Sequence, residues 1–499
     1  MKQAVTEQGA GGQKAHELEF LVSEGDGIGP EITSAVLQIL AAAGLKLRAI
    51  PVEIGEKSYL AGHSSGISPE AWQLLNSGKV LLKAPITTPR GGGYKSLNVT
   101  LRKAFGLFAN IRPVKSYPDI LPGRPMDMVI VRENEEDTYA GIEHRQTREV
   151  TQCLKLITSP GTDRILHYAY RLAALRPRKE LTLMAKDNIM KITDGVFTSR
   201  FAALQPAFPD VRTRSIIIDI GTAKLAVAPE TFDVVVAPNL YGDILSDVAA
   251  EASGSVGLAG SANLGANFAM FEAVHGSAPD IAGKGVANPS GMLQAACMML
   301  AYAGFKYEAE LIENAWLAAL EDGYRTADIA TGKDEEITVG TEAFARAVID
   351  RLGRKPVKLK PAQAFEIPPV APSLEFALNH ARALQASVTK ELRGIDIFVD
   401  WDEADRNPNV LGPKIAALGS DKLQLRMISN RGVKVFPQGN SATSCTDHWR
   451  CRFTAEGTVS YSDLLALQSA IAQAGFDVIK TENLYWFDGK PGYSLGQGE

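Results

Sequence analysis

Along the first 250 residues, short apolar runs alternate with stretches whose apolar positions recur at helical spacing. ELEFLVSE leads through GDGIGP into EITSAVLQILAAAG, which reads as strand, loop and helix. Pro30 and Glu31 suit a first helical turn, where a proline forfeits no hydrogen bond and an acid complements the dipole. KVLLKAP, MDMVIV, LTLMAK, SIIID and FDVVVAP read as further strands between helices, so the expected class is α/β with much parallel sheet. No repeat of solenoid period appears. Near residues 353–373 the pattern breaks into a stretch rich in proline and lysine, GRKPVKLKPAQAFEIPPVAP, which reads as a linker. Beyond it GIDIFVDWD, VLGPKIAALG, KLQLRMIS, HWRCRFTAE, YSDLLALQSAIAQAG and FDVIKTENLYWF follow in the order strand, helix, strand, strand, helix, strand. That order predicts an added ferredoxin-like α+β domain.

The chain has 499 residues, 45% hydrophobic and 22% charged, enough for several domains with sizeable cores. A formal charge of −5 argues against a nucleic-acid protein held by phosphate contacts. It leaves small anionic substrates open, since those depend on local arginines and metals. No apolar run reaches the length of a membrane span, and the N-terminus reads as a frayed polar tail without the apolar core of a signal peptide. Four cysteines in so long a chain do not make a disulfide framework, so a reducing cytoplasm is expected.

In NLYGDILSD, Asp243 and Asp247 stand one helical turn apart and project from one face. Two close carboxylates repel unless a cation sits between them, and a hard divalent ion with oxygen ligands serves. Asp219, closing SIIID, is a third candidate ligand. An isolated D-x-x-x-D is more often a solvated acidic face. In KSLNVTLRKAFGLFANIRPVK, Ser96 suits an N-cap, and Asn98 and Arg102 share a helix face. Arg112 and Arg132 lie in or at the ends of extended stretches. Several guanidinium forks near strand ends are what a tricarboxylate requires, though any one arginine is more often in a surface ion pair. The glycines of PITTPRGGGYKS allow close backbone approach to a ligand. GDGIGPE departs from the dinucleotide fingerprint, which argues against a Rossmann fold. Tyr139 and Lys186 are candidate proton carriers.

Taken in order, GDGIGPEI, ITTPRGGGYKSLNVTLR, IRPVK, VRENEEDTYAGIEH, KDNIMKITDG, NLYGDILSD and HGSAPDIAGKGVANP resemble the β-decarboxylating dehydrogenases. That family includes isocitrate, 3-isopropylmalate, homoisocitrate and tartrate dehydrogenases, and the resemblance spans residues 20–350. It implies the two-domain, non-Rossmann sheet fold of isocitrate and isopropylmalate dehydrogenases. Residues 1–18 would be a disordered tail, and 19–115 with 250–352 a large domain for coenzyme and substrate. Residues 116–249 would form a small domain with clasp and metal ligands, 353–390 a linker, and 391–499 the added domain. It also implies a homodimer with Lys186 and Asp219 reaching into the partner's cleft, while the added domain suggests a larger homo-oligomer.

By the same resemblance Asp219, Asp243 and Asp247 bind Mg²⁺ or Mn²⁺, and Arg102, Arg112 and Arg132 clamp substrate carboxylates. Lys186, directly or through water, takes the hydroxyl proton, and Tyr139 protonates the enol carbon. Ser96 and Asn98 offer polar contacts where an isopropylmalate enzyme offers apolar ones, which favours isocitrate, oxidised to 2-oxoglutarate and carbon dioxide. Homoisocitrate or 3-isopropylmalate dehydrogenase, or a non-catalytic citrate-binding regulatory subunit, are the alternatives. Thr88 and Glu272 resemble groups near the nicotinamide, and His275, Gly276 and Asn288 belong to the loop that resembles the adenine site. Asp280 and Ile281 stand where NADP-using relatives carry Lys and Tyr, and a carboxylate repels a 2′-phosphate, so NAD is the expected coenzyme. The added domain shows no catalytic motif and suggests oligomerisation, support of the clasp, or regulation. Its Cys445-x-x-His448-x-x-Cys451 resembles a metal motif, but on a strand His448 faces away from the cysteines.

Overall fold

The computed structural model describes residues 17–88, 96–121, 123–385, 388–440 and 442–496. Most of the expected N-terminal tail and the centre of the PITTPRGGGYKS loop lie outside the described residues. The chain separates into two compact units. One holds residues up to 135 with 164–184 and 203–374, and the other holds 136–163, 185–202 and 375–499.

The first unit is built on one ten-stranded mixed sheet. Its strand order is Lys46–Pro51, Glu17–Ser23, Val80–Lys83, Ala269–Ala273, Gly260–Leu264, Ala109–Lys115, Asp127–Glu133, Val234–Ala237, Glu180–Ala185 and Arg212–Ile217. Most pairings are parallel, but Ala109–Lys115 runs antiparallel to both its neighbours, and so does Gly260–Leu264. Val234–Ala237 is buried along its whole length, as a continuous apolar run in a sheet covered on both faces should be. The helix Gly29–Ala42 begins with Pro30 and Glu31 in its first turn, and Ile32, Val36, Ile39 and Leu40 are fully buried. They pack towards the helices Ser290–Tyr302 and Thr341–Ile349. Burying each such side chain stabilises by about 1.5–3 kcal/mol.

SIIID departs from expectation. The strand stops at Ile217, and Asp219 lies exposed in the first turn of the helix Ile218–Val227, where its charge favours the helix N-terminus. The expected linker is also more ordered than its composition suggests. Glu321 accepts the backbone N–H groups of Val357, Lys358 and Leu359, Asn314 accepts that of Ala362, and Glu310 that of Ala364. One helix, Lys306–Glu321, thereby supplies acceptors to a segment with no ladder of its own. A second helix, Ala371–Gln385, occupies the end of the expected linker.

The helix Lys306–Glu321 also carries Glu313, whose carboxyl burial pushes up to about 7 against the opposing Lys115, with Glu310 and Asp127 adding to the rise. A raised carboxyl holds its proton better in the folded chain, so its contribution to stability is full below pH ~4.5 and lost as pH rises towards 7. Glu313→Gln is expected to stabilise the protein at pH 8 by about 1–3 kcal/mol and to leave it little changed at pH 4.5. Urea unfolding at both pH values measures this, and equal effects at both would refute it.

In the second unit, the strands Lys390–Asp400, Gln424–Asn430, His448–Thr454 and Asp477–Phe487 and the helices Pro408–Ala416 and Tyr461–Gln473 follow the ferredoxin-like order expected. The sheet order is Val433–Phe436, Gln424–Asn430, His448–Thr454, Lys390–Asp400, Asp477–Phe487 and Lys490–Pro491, paired antiparallel. Ser460 and Asp463 close a reciprocal capping box at the start of the second helix. Ile395, Ile397, Trp449, Cys451, Phe453 and Ile471 form the core. Cys451 is in that core, whereas His448 packs against the Phe398 ring, so strand alternation separates the two. Among the described residues no helix is long and apolar enough to cross a membrane.

Candidate active site

The strand order brings charged and amide side chains from distant parts of the sequence into one row. Lys83, Glu272, Asn263, Asn110 and Arg132 stand on five successive strands, and the register pairs Lys83 with Glu272, Asn263 with Asn110, and Asn110 with Arg132. Lys83 Nζ lies 2.7 Å from Glu272 Oε2, and Arg102 Nη2 lies 3.1 Å from Glu272 Oε1, all three side chains being buried. Asn263 Nδ2 donates to the same Oε1 at 2.9 Å. Burial alone would raise the Glu272 carboxyl, but Lys83 and Arg102 outweigh it and hold the group well below the usual carboxylate range.

The row continues through amides. Asn110 Nδ2 and Asn134 Nδ2 donate to Asn263 Oδ1 at 2.8 and 3.0 Å, and Arg112 Nε donates to Asn110 Oδ1 at 2.6 Å. Arg112 then spans Ser246, Asp243 at 3.3 Å and Asp247 at 3.5 Å, while Arg132 binds Asp243 and donates Nε to the backbone and side-chain oxygens of Asn239. Burial pushes the Arg112 guanidinium below its ordinary value and Asp243 opposes this, so it remains charged at neutral pH. Asp243 and Asp247 are one turn apart on the helix Asn239–Ala252, as the spacing predicted.

Arg102 and Asn98 lie on the helix Leu97–Ala104. Arg102 Nε and Asn98 Oδ1 are buried, yet neither has a hydrogen-bond partner among the described residues. Ser96 stands at the N-cap position, but its hydroxyl makes no capping bond, so the local role expected for it is not taken up. Polar groups left unpaired in a buried place are costly unless a ligand satisfies them. The free Arg102 Nε donor suits an anionic ligand, and the Asn98 Oδ1 acceptor suits a hydroxyl on it.

Asp243 and Asp247 offer hard oxygen donors on one helix face, which suits Mg²⁺ or Mn²⁺, and Arg112 and Arg132 pair with them. Among the described residues, no three His, Cys, Asp or Glu side chains are gathered within metal-binding reach. Asp219 stands in the first turn of the helix Ile218–Val227, which packs against the helix Asn239–Ala252 that carries the other two aspartates.

The GDGIGP loop has a structural task. Gly27, at φ +61°, lies so close to the backbone of Ser277 that a Cβ would meet its oxygen at 1.9 Å, and Ile28 N–H donates to that oxygen. Asp26 accepts the backbone N–H of Thr87, whose hydroxyl is 2.9 Å from that of Ser277. The loop before the helix Leu97–Ala104 and the HGSAPDIAG loop are so joined through Thr87, while Thr88 is exposed. In the HGSAPDIAG loop, burial lowers the His275 pKa below its ordinary value, and its Nε2 is buried without a partner among the described residues. Gly276 is exposed beside it. Asn288 accepts the Ser290 N–H and donates to Asp328, so its amide braces the start of the following helix. Asp280 is exposed and Ile281 half-buried in a turn closed by backbone hydrogen bonds.

Tyr139 and Lys186 belong to the second compact unit. Tyr139 sits in the short 3₁₀ helix Thr138–Ala140, next to Asp137 at φ +67°. Lys186 follows the strand Glu180–Ala185, and its backbone N–H donates to Asp194 Oδ2 at 2.7 Å. Lys155 Nζ lies 2.8 Å from Asp137 and 3.4 Å from the other oxygen of Asp194, tying the two stretches together. Sequence reasoning missed Lys83, Asn110, Asn263 and Lys155. The available signals were a lysine closing the apolar run KVLLK and asparagines inside otherwise apolar strands.

Comparison with known proteins gives a consistent result. Residues 19–348 match the family described as isocitrate/isopropylmalate dehydrogenase, and residues 390–499 match bacterial isocitrate dehydrogenase, C-terminal domain. A Rickettsia felis protein named isocitrate dehydrogenase [NADP] is 49% identical over 482 residues, covering 96% of this chain and 98% of its own. A Thermus thermophilus protein of the same name is 40% identical over 501 residues, 98% of each. A crystal structure of a Thermus thermophilus protein superposes with a TM-score of 0.87 at 38% identity, covering 97% of this chain and 98% of the other. The names of the whole-length relatives overturn the expectation of NAD drawn from Asp280 and Ile281. Physically, one exposed carboxylate on a turn is a weak discriminator. Water and salt reduce its repulsion of a phosphate to about 1 kcal/mol or less.

Proposed function

Because this chain belongs to the isocitrate/isopropylmalate dehydrogenase family, we propose that it oxidatively decarboxylates isocitrate to 2-oxoglutarate and carbon dioxide, reducing NADP. The observation that carries the substrate is the buried arginine row, with the donor Arg102 Nε left to be paired by a carboxylate and the acceptor Asn98 Oδ1 by a hydroxyl. Arg102, Arg112 and Arg132 hold substrate carboxylates, and Ser96 and Asn98 read the γ-carboxylate. An apolar isopropyl group there would leave both polar side chains unpaired.

Asp243 and Asp247, with Asp219 from a second copy of the chain, would hold the divalent cation. When bound, that ion supplies Lewis acidity towards the ketone, and the nicotinamide accepts the hydride. Lys186 takes the hydroxyl proton as the carbon is oxidised, and Tyr139 returns a proton to the enol carbon after carbon dioxide leaves. Glu272, neutralised by Lys83 and Arg102, keeps Arg102 oriented. The family resemblance implies a homodimer with shared sites, to which the second copy would contribute Asp219. The cytoplasm suits its free cysteines.

The test is a matrix of substrates and coenzymes on the purified chain with Mg²⁺ or Mn²⁺. Isocitrate with NADP is expected to give the highest kcat/KM, and chelation of the metal to abolish turnover. Preference for 3-isopropylmalate or homoisocitrate would sink the substrate reading. Turnover only in the presence of another subunit would instead point to a regulatory chain.

A further inference from the structure

The added C-terminal domain does not stand apart from the proton-transfer residues. Residues 375–499 share one compact unit with 136–163, which carries Tyr139, and with 185–202, which carries Lys186. The contacts within that unit are specific. A hairpin pairs Glu143–Arg145 with Thr151–Cys153, and its turn meets the domain through three side chains in a row. The Thr147 hydroxyl donates to the buried Asp447 at 2.5 Å. Arg148 pairs with Asp402, and Glu149 receives both prongs of Arg406, at 2.8 and 2.9 Å.

Arg406 is held for that task. Its Nε donates to Asp402 at 2.6 Å, and Nη1 also reaches the backbone oxygen of Cys445 at 3.1 Å. Asp405 and Arg406 both adopt left-handed backbone conformations, at φ +52° and +56°. Two successive residues with a Cβ rarely do so unless the surroundings impose it. Across the unit, Arg200 Nη1 lies 2.8 Å from both oxygens of the buried Asp163, and His380 Nδ1 lies 2.9 Å from one of them. Each of the unit's three segments contributes one member to this cluster. Lys155, on Asp137 and Asp194, links the Tyr139 and Lys186 stretches in turn.

We propose that the C-terminal domain is a positioning module, which sets the backbone of the Tyr139 and Lys186 segments through Arg406–Glu149, Asp447–Thr147 and the Asp163 cluster. This rests on Tyr139 and Lys186 being the proton-transfer pair of the reading above. Arg406 and Glu149 are positioning residues and touch no substrate. A lost anchor displaces the proton carriers, and a displacement near 1 Å costs up to about 100-fold in rate.

The experiment is a double-mutant cycle in the full-length chain with Arg406→Ala, Glu149→Ala and the pair together, plus Arg406→Lys. Lys186→Met and Tyr139→Phe are run beside them. Each alanine variant is expected to lower kcat by about 10–100-fold, with KM for isocitrate and the affinity for NADP changed less than about threefold. The double variant should lose no more than either single one, because both remove the same contact. Arg406→Lys, which keeps one charged contact, should fall between, and the pH profile of kcat should shift in the alanine variants. Unchanged kcat and pH profile in Arg406→Ala, beside large losses in Lys186→Met, would overturn the positioning role alone. Losses that appear equally in KM, coenzyme affinity and melting temperature would overturn it too, as plain unfolding. If Lys186→Met and Tyr139→Phe keep full turnover, the reading of the pair fails, and this proposal with it.

Discussion

Lys186→Met is expected to lower kcat about 10³-fold while changing KM for isocitrate less than about tenfold, the usual scale for loss of one proton-transfer group. The fold of this stretch depends on the backbone of residue 186, whose N–H is held by Asp194 and whose oxygen accepts from Ile189 and Met190. Neither contact uses the side chain. The Lys155 ammonium stands between Asp137 and Asp194 and keeps both carboxylates paired in the variant. Melting temperature measured beside kcat separates loss of the ammonium from unfolding, and turnover should collapse in protein that is still folded at the assay temperature. Tyr139→Phe should lower the overall rate by a similar order, but at protonation of the enol carbon, after the hydroxyl proton has left. Steady-state assays with release of carbon dioxide followed separately from formation of 2-oxoglutarate distinguish the two variants. A loss below about tenfold in both would remove the pair from the mechanism.

The part of the fold that sequence pattern reveals is the part fixed by neighbours in sequence. Ile32, Val36, Ile39 and Leu40 share one helix face whatever the sheet order, and Asp243 and Asp247 share another. The C-terminal domain was legible for the same reason, since alternation and turn residues mark every one of its main elements. The polar row of the site is different. Asn263 meets Asn110 only because the strand Gly260–Leu264 inserts beside Ala109–Lys115, a pairing across about 150 residues that no local period records. Arg406 meets Glu149 across a larger separation still. Asp219 reads from the sequence as a strand end, because an apolar run continues unbroken into the helix Ile218–Val227. The coenzyme inference failed at another level. Asp280 is exposed, so solvent screens its charge, and the turn that carries it and Ile281 is shaped by backbone hydrogen bonds.

Arg132→Met is expected to destabilise the fold by about 3–5 kcal/mol and to lower kcat/KM about 10³-fold or more, because two tasks converge on one buried guanidinium. The side chain is only 1% exposed. Its Nε holds the first residue of the helix Asn239–Ala252 through both oxygens of Asn239, and Nη1 pairs with Asp243 in the next turn. The helix approaches so closely that a Cβ at Gly242 would lie 2.6 Å from the Arg132 side chain, so arginine and glycine form a matched pair. Methionine fills part of the volume but takes the guanidinium away from the Asn239 oxygens and from Asp243, which keeps Arg112 at 3.3 Å. The helix start then loosens, and with it the spacing of Asp243 from the carboxylate clamp. Arg132→Lys should not restore either property, since a single ammonium cannot serve Asn239 and Asp243 as one planar fork does. Urea unfolding at pH 7 measures the first effect and isocitrate kinetics the second. A lysine variant with wild-type kcat/KM would show that charge alone, not the fork, is what the site requires.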